Sequence, residues 1–293
     1  MDASPTGLLL SSATGLVLGA YYTLNKKVSG AGNPLQIIFW IFASHLPPIA
    51  LWLALHGGSS VDPWYFLPGL CVLILTVGGN FFTVRALSFS PLNLMMPVMC
   101  LSPVLTVLIA IPLLGELPSF HQSVGIALAV VGVLWLYAPP ERPWDLLAFW
   151  KNFLQERGAL PMLFSALCWS LSAPMDKLAL RHADPAFHAL FVFSGLSIFV
   201  YFWIRARGEW DSTSIPRRFW FLLLATGAAG AITDILQLFA LLHTPVGMFE
   251  AMKRVLSQVF ALGLAAWLFH ERLTRPRLIG ITIITISVPL VVL

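Results

Sequence analysis

Glu250, Lys253, Arg254 and Ser257 follow one another at i, i+3, i+4 and i+7, the spacing that puts side chains on one face of a helix. The stretch that holds them, Thr244 to Phe260, is otherwise largely apolar and runs on to His270-Glu-Arg-Leu-Thr-Arg275. It reads as a membrane helix, where ionisable groups are costly and mark functional positions. Counting inward from Pro245 at 1.5 Å per residue puts Arg254 about 13 Å deep. Asp234, counted back from the same turn, lies about 15 Å deep by the same rise, with Gln237 one turn away. Adjacent lysine and arginine suit a carboxylate or phosphate. Asp234 or Glu250 would then be the counter-charge and a proton carrier. The alternative is a sealed network, because two acids and two bases sum to zero and would lock two helices together.

The elements that hold these residues follow from composition. The chain has 293 residues, 58% hydrophobic and 10% charged, with mean hydropathy +0.84. Soluble domains carry about 25% charged residues, so the class is an all-α polytopic membrane protein. Ten apolar segments are expected at 7–27, 35–56, 64–86, 92–114, 121–138, 159–180, 186–205, 218–242, 246–269 and 277–293. Alternating strand patterns are absent, which excludes a β-barrel. Turns such as Phe89-Ser-Pro91 and His243-Thr-Pro245 are so short that neighbouring helices must be antiparallel. Cys71, Cys100 and Cys168 fall within apolar runs and give no paired spacing. Neither a metal-ligand pattern nor a Walker A loop is present, and no cofactor, enzyme activity or nucleic-acid partner is expected. Met1 to Thr6 lacks the basic start of a cleavable signal peptide.

The two halves repeat. Leu24-Asn-Lys26 recurs as Met175-Asp-Lys177 and Pro34 as Pro185, at an offset of 151. Asn80, Ala86-Leu87 and Pro91 answer Asp234, Ala240-Leu241 and Pro245 at 154. Leu101-Ser102, Glu116 and Gly125-Ile126 answer Leu256-Ser257, Glu271 and Gly280-Ile281 at 155. The expected units are a five-helix repeat at 1–138, an interfacial connection at 139–158, and a second five-helix repeat at 159–293. Five is odd, so the second copy must cross the membrane inverted, the architecture of secondary transporters.

Ser102-Pro-Val-Leu-Thr-Val-Leu, Leu114-Gly-Glu-Leu-Pro, Gly125 and Gly132 resemble the EamA domain of the drug/metabolite transporter superfamily. Ser257-Gln-Val-Phe-Ala, Phe269-His-Glu-Arg-Leu-Thr and Gly280 resemble it again, with Gln258 where the pattern usually has proline. The resemblance implies ten helices around a central cavity lined mainly by helices 1, 3, 4, 6, 8 and 9. The Lys253-Arg254 pair also resembles the phosphate-binding pair of plastid triose-phosphate translocators and some nucleotide-sugar transporters. The small multidrug relatives place their acidic residue in the first helix, where this chain has no carboxylate.

The odd-numbered loops and helix ends carry 13 of the 17 lysines and arginines, and the even-numbered side carries only Lys177 and Arg181. Positive residues stay cytoplasmic, so both termini are expected outside the cytoplasm of a bacterial inner (plasma) membrane. Many ten-helix relatives are thought to have them inside. Asn25, Lys26, Asp176 and Lys177 occupy equivalent repeat positions at opposite faces and are candidates for gates or coupling, against anchoring and capping. Tyr21, Tyr22, Asn80 and Trp169 are cavity-lining candidates. His45 and His188 read as satisfied core histidines, and Arg85 as a snorkelling side chain. Glu116 and Glu271 are expected to accept from backbone amides of the next helix. Trp40, Trp52, Trp64, Trp135, Trp144, Trp150 and Trp220 fit interfacial belts.

The function these residues suggest is secondary-active transport of a small polar, anionic metabolite by alternating access, in a monomer or homodimer. The alternatives are proton-coupled export of cationic drugs or amines, a lipid or lipid-phosphate flippase, which would need a cavity open sideways, and a structural subunit with its charges sealed.

Overall fold

A computed structural model describes residues 4–28, 32–56, 61–89, 102–136, 151, 154–210 and 215–269, with isolated positions of 279–290. Among the described residues the chain is helical and has no strand. The helices are α1 (Pro5–Val28), α2 (Pro34–His56), α3 (Phe66–Phe89), α4 (Ser102–Leu114), α5 (Phe120–Leu136), α6 (Ala159–Ala179), α7 (Pro185–Ala206), α8 (Trp220–His243) and α9 (Val246–Phe269). They coincide with the first nine apolar segments, except that 92–101 lies outside the described residues. The tenth segment lies largely outside them too; its described positions are helical.

Starts are fixed by local chemistry. Asn33 accepts from the Leu35 amide at 3.0 Å and Asp184 from Ala186 at 2.8 Å, each followed by proline. A side-chain acceptor at the cap and a proline in the first turn, which has no amide to leave unpaired, define where a helix begins. Ser4 caps α1 through the Gly7 amide, and its own amide donates to His243 O, tying the start of α1 to the end of α8.

Five helical stretches, at 5–25, 35–55, 63–83, 185–206 and 217–243, are long and apolar enough to cross a membrane. Large apolar side chains face outward, with Phe221 82% and Leu55 73% exposed. Water does not tolerate such a surface, whereas hydrocarbon does. α6 and α9 fall outside that set and carry the buried charges.

Packing runs mainly between the halves. α1 lies on α8 and α9, α6 on α3 and α4, α2 on α7 and α8, α3 on α7, and α4 on α9. Exchanging α1 with α6, α2 with α7, α3 with α8 and α4 with α9 returns the same set of pairs. α1 approaches α9 through small residues: a Cβ built on Gly15 would stand 2.7 Å from Leu256 Cβ, and one on Gly19 2.8 Å from Ser257 O. Small residues allow such approach where apolar burial supplies no drive between helices.

Candidate functional site

The α9 face is organised by Lys253. Its ammonium pairs with the buried carboxylate of Glu250, one turn back, and donates to Gln237 Oε1 of α8 at 3.0 Å. It also stands 4.7 Å from the centre of the Phe249 ring, within cation–π range. Arg254 points elsewhere: its Nη2 reaches Ser102 Oγ on α4 at 3.5 Å. Ser102 O accepts from Ser170 Oγ on α6 at 3.3 Å, and Thr106 Oγ1 donates to Ser170 O at 3.2 Å. A small-residue polar seam therefore joins α4, α6 and α9, with an arginine at its end. Ser257 takes no part. Its hydroxyl donates to Arg254 O within its own helix, and its backbone packs against Gly19 of α1.

The hairpin count brought Asp234 level with Lys253 and Arg254. In the structure Gln237 meets Lys253, and Asp234 faces His45 of α2, with Nε2 and Oδ2 3.6 Å apart. Asp234 and Gln237 stand one turn apart along α8, so each meets a partner at its own level, Gln237 the Lys253 ammonium and Asp234 the His45 imidazole. His45 is buried, as expected of a core histidine, and it lies near the middle of α2, as Asp234 does in α8. That common depth was the signal available.

A second cluster closes one end of the bundle. Lys177 Nζ donates to Glu116 Oε1 at 2.6 Å and to Thr244 O at 2.8 Å. Glu116 Oε2 accepts from the Val246 amide at 2.6 Å. Glu116 thus serves the first turn of α9 in the other half rather than the next helix, α5. Ser119 and Gln122 cap α5 reciprocally instead. Behind this lock, His188 Nε2 lies 3.0 Å from Asp176 Oδ1, and His188 Nδ1 lies 2.9 Å from the Tyr65 hydroxyl. All three are buried. At the same end Asp62 pairs with His182 at 2.9 Å. Its carboxyl is held below the ordinary carboxylate range by the Trp64 amide and then by His182.

Asn25 hydrogen-bonds Tyr21, and the Tyr21 ring stands edge-on to His45 with centroids 6.2 Å apart. The side chain of Lys26 lies outside the described residues, as do Cys100, Trp144, Trp150 and Glu271. Tyr22 is exposed. Trp169 packs its indole over Gly79, where a Cβ would stand 2.8 Å from the ring. Asn80 lines a cavity of about 730 Å³ between α2, α3 and α7, shared with Phe81, Arg85, Trp203 and Arg207. This cavity is set between helices 2, 3 and 7, not at the centre of helices 1, 3, 4, 6, 8 and 9. Arg85 lies over the Phe81 ring. Trp52 and Trp135, expected at the interface, are buried, because their helices turn them toward neighbours.

A model of the EamA-like transporter family matches residues 5–138 and again residues 156–293. The fold is similar to that of a solved structure titled "Crystal structure of protein", with a TM-score of 0.80 over 98% of each chain at 16% identity. None of the curated proteins matches.

Proposed function

Because the chain belongs to the EamA-like transporter family, we propose that it is a secondary-active transporter that moves a small anionic metabolite by alternating access. Ten helices would form two inverted repeats, 1–138 and 159–293, joined at 139–158. The observation that carries this reading is the Lys177–Glu116 lock. It ties α4 of the first half to α6 and the α8–α9 turn of the second at one face, while the packing pairs survive exchange of the halves. A lock at one face of a two-fold arrangement is what rocking halves need.

The anion site of this reading is Lys253 and Arg254. Glu250 neutralises Lys253 in the absence of substrate, so an arriving carboxylate or phosphate takes the place of Glu250 and bridges to Arg254, which already reaches α4. Both termini lie outside the cytoplasm in this reading, from the charge bias. Thermal stabilisation by a panel of organic anions and cations tests it, with uptake into proteoliposomes for each hit. Lys253→Ala and Arg254→Ala should each abolish stabilisation by anions. If both variants keep stabilisation and uptake, the anion site is wrong.

A second reading draws on the cavity between α2, α3 and α7. Its apolar wall and the guanidinium groups of Arg85 and Arg207 suit an amphiphile with an anionic head. In this reading the chain moves lipid, and Arg85→Ala should halt transfer of a labelled anionic phospholipid while sparing soluble anions. Export of a cation through Asp176, Asp234 or Glu250 is the remaining alternative; Glu250→Gln should then shift the pH optimum.

A further inference from the structure

Two buried histidines differ in how their nitrogens are satisfied. At His188 the Asp176 carboxylate can only accept, so Nε2 carries the hydrogen, and Nδ1 takes one from the Tyr65 hydroxyl. A neutral imidazole fills both contacts. At His45 the Ile41 carbonyl lies 2.7 Å from Nδ1 and also can only accept. Nδ1 therefore carries the hydrogen, and a neutral imidazole turns the bare lone pair of Nε2 toward the Asp234 carboxylate, 3.6 Å away. Two acceptors then face each other in an apolar setting, and one proton is missing.

We infer that His45 and Asp234 together bind one exchangeable proton and form the coupling site of the transporter proposed above, on which the coupling role rests. With the proton the pair is neutral overall, either as imidazolium and carboxylate or as imidazole and carboxylic acid. Without it the pair carries one negative charge. His45 is 2% exposed and Asp234 24%, so the carboxylate is the end that meets an incoming proton and the imidazole the end that holds it.

The surroundings leave few other groups to take the charge. Tyr21 of α1 is edge-on to the imidazole, and its hydroxyl is bonded to Asn25. Phe193 of α7 stacks on the ring at 4.8 Å, and Phe42 of α2 stands 5.9 Å away. From α8 the ring meets Gly230, where a Cβ would lie 2.1 Å from Nε2. The charges that act on Asp234 are Asp176 of α6 and Lys253 of α9. Loss of the proton thus draws Lys253 toward Asp234 and away from Glu250. Proton state and the anion site share one ammonium, which is a physical route for exchange between them.

The test uses the full chain, labelled with ¹⁵N-histidine, in lipid nanodiscs, with His45→Gln to identify the His45 signals. His45 should show the Nδ1–H tautomer, and its signals should change with pH together with the Asp234 carboxyl as about one proton is taken up. In Asp234→Asn, where an amide donates to Nε2, His45 should stay neutral throughout. An Nε2–H tautomer, or the same titration in wild type and Asp234→Asn, overturns the pair. Should Asp234→Asn fail to fold, Asp234→Glu replaces it: retained titration with a shifted midpoint supports the pair, and an unshifted midpoint overturns it. No transported substrate enters these readouts, so they stand or fall apart from the transport reading. For coupling, Asp234→Asn in proteoliposomes should lose the response to an imposed pH gradient, read as the ratio of anion uptake with and without the gradient. Wild-type gradient response in that variant overturns the coupling role.

Discussion

Glu250 and Lys253 neutralise each other in a place where neither could stand alone. Removing one partner of a buried ion pair leaves an uncompensated charge and costs about 3–5 kcal/mol, whereas removing both together costs much less. Glu250→Gln should therefore lower the melting temperature sharply. Lys253→Met should lower it as well, and the double variant should melt above either single one; thermal unfolding in detergent reads the three. Asp62 offers a second case at the surface. Its carboxyl sits below the ordinary range because the Trp64 amide and His182 favour the charged form. The unfolded chain therefore binds more protons through the carboxylate range, and what Asp62 contributes is present at neutral pH and lost as pH falls. Hydrogen exchange should show protection of the Trp64 amide, which donates to Asp62 at 3.0 Å, decline in acid. In Asp62→Asn that dependence should vanish. At this scale the sequence was informative wherever spacing along one helix decides the partner, as with Glu250 and Lys253. It was silent where partners come from another helix. Nothing in the spacing says that Arg254 reaches Ser102, or that Glu116 serves Val246 across 130 residues.

Helices were legible because their signals are local. An apolar run of membrane length, an Asn or Asp cap and a following proline lie within a few residues of one another, so α2 and α7 begin where those residues stand. Packing was less legible, since it depends on which small residue meets which backbone. The α1–α9 contact turns on Gly15, whose added Cβ would stand 2.7 Å from Leu256 Cβ and 3.1 Å from Lys253 O. Neither neighbour is the end of a flexible side chain, so the helices must move apart. Overpacking of this kind costs about 1–3 kcal/mol. Gly15→Ala should lower the melting temperature, and Gly15→Val should lower it further. Gly263→Ala, with nothing within 4 Å of its Cβ, should leave it unchanged or raise it slightly, because alanine favours the helix.

The repeat that the offsets of 151 to 155 traced predicts more for the molecule than for any one element. Lys177 and Glu116 hold one face, with Thr244 O and the Val246 amide completing the lock. Their repeat counterparts are Lys26 and Glu271. If the halves rock, the two lysines act on opposite faces, and weakening either should move the population toward opposite states. A hydrogen bond to a charged group is worth about 1.5–3 kcal/mol, enough to shift a two-state balance by one to two powers of ten. A single cysteine at Ala110, buried at the end of α4 near the lock, reports the first face once Cys71, Cys100 and Cys168 are replaced. With a membrane-impermeant maleimide, Lys177→Ala should raise labelling at Ala110→Cys roughly tenfold or more, while Lys26→Ala should lower it. A lock that serves only to hold the helices together would behave differently. Lys177→Ala would then raise labelling, and Lys26→Ala would raise it too or leave it unchanged. Opposite signs of the labelling change at the two lysines are the outcome that only two alternating states produce.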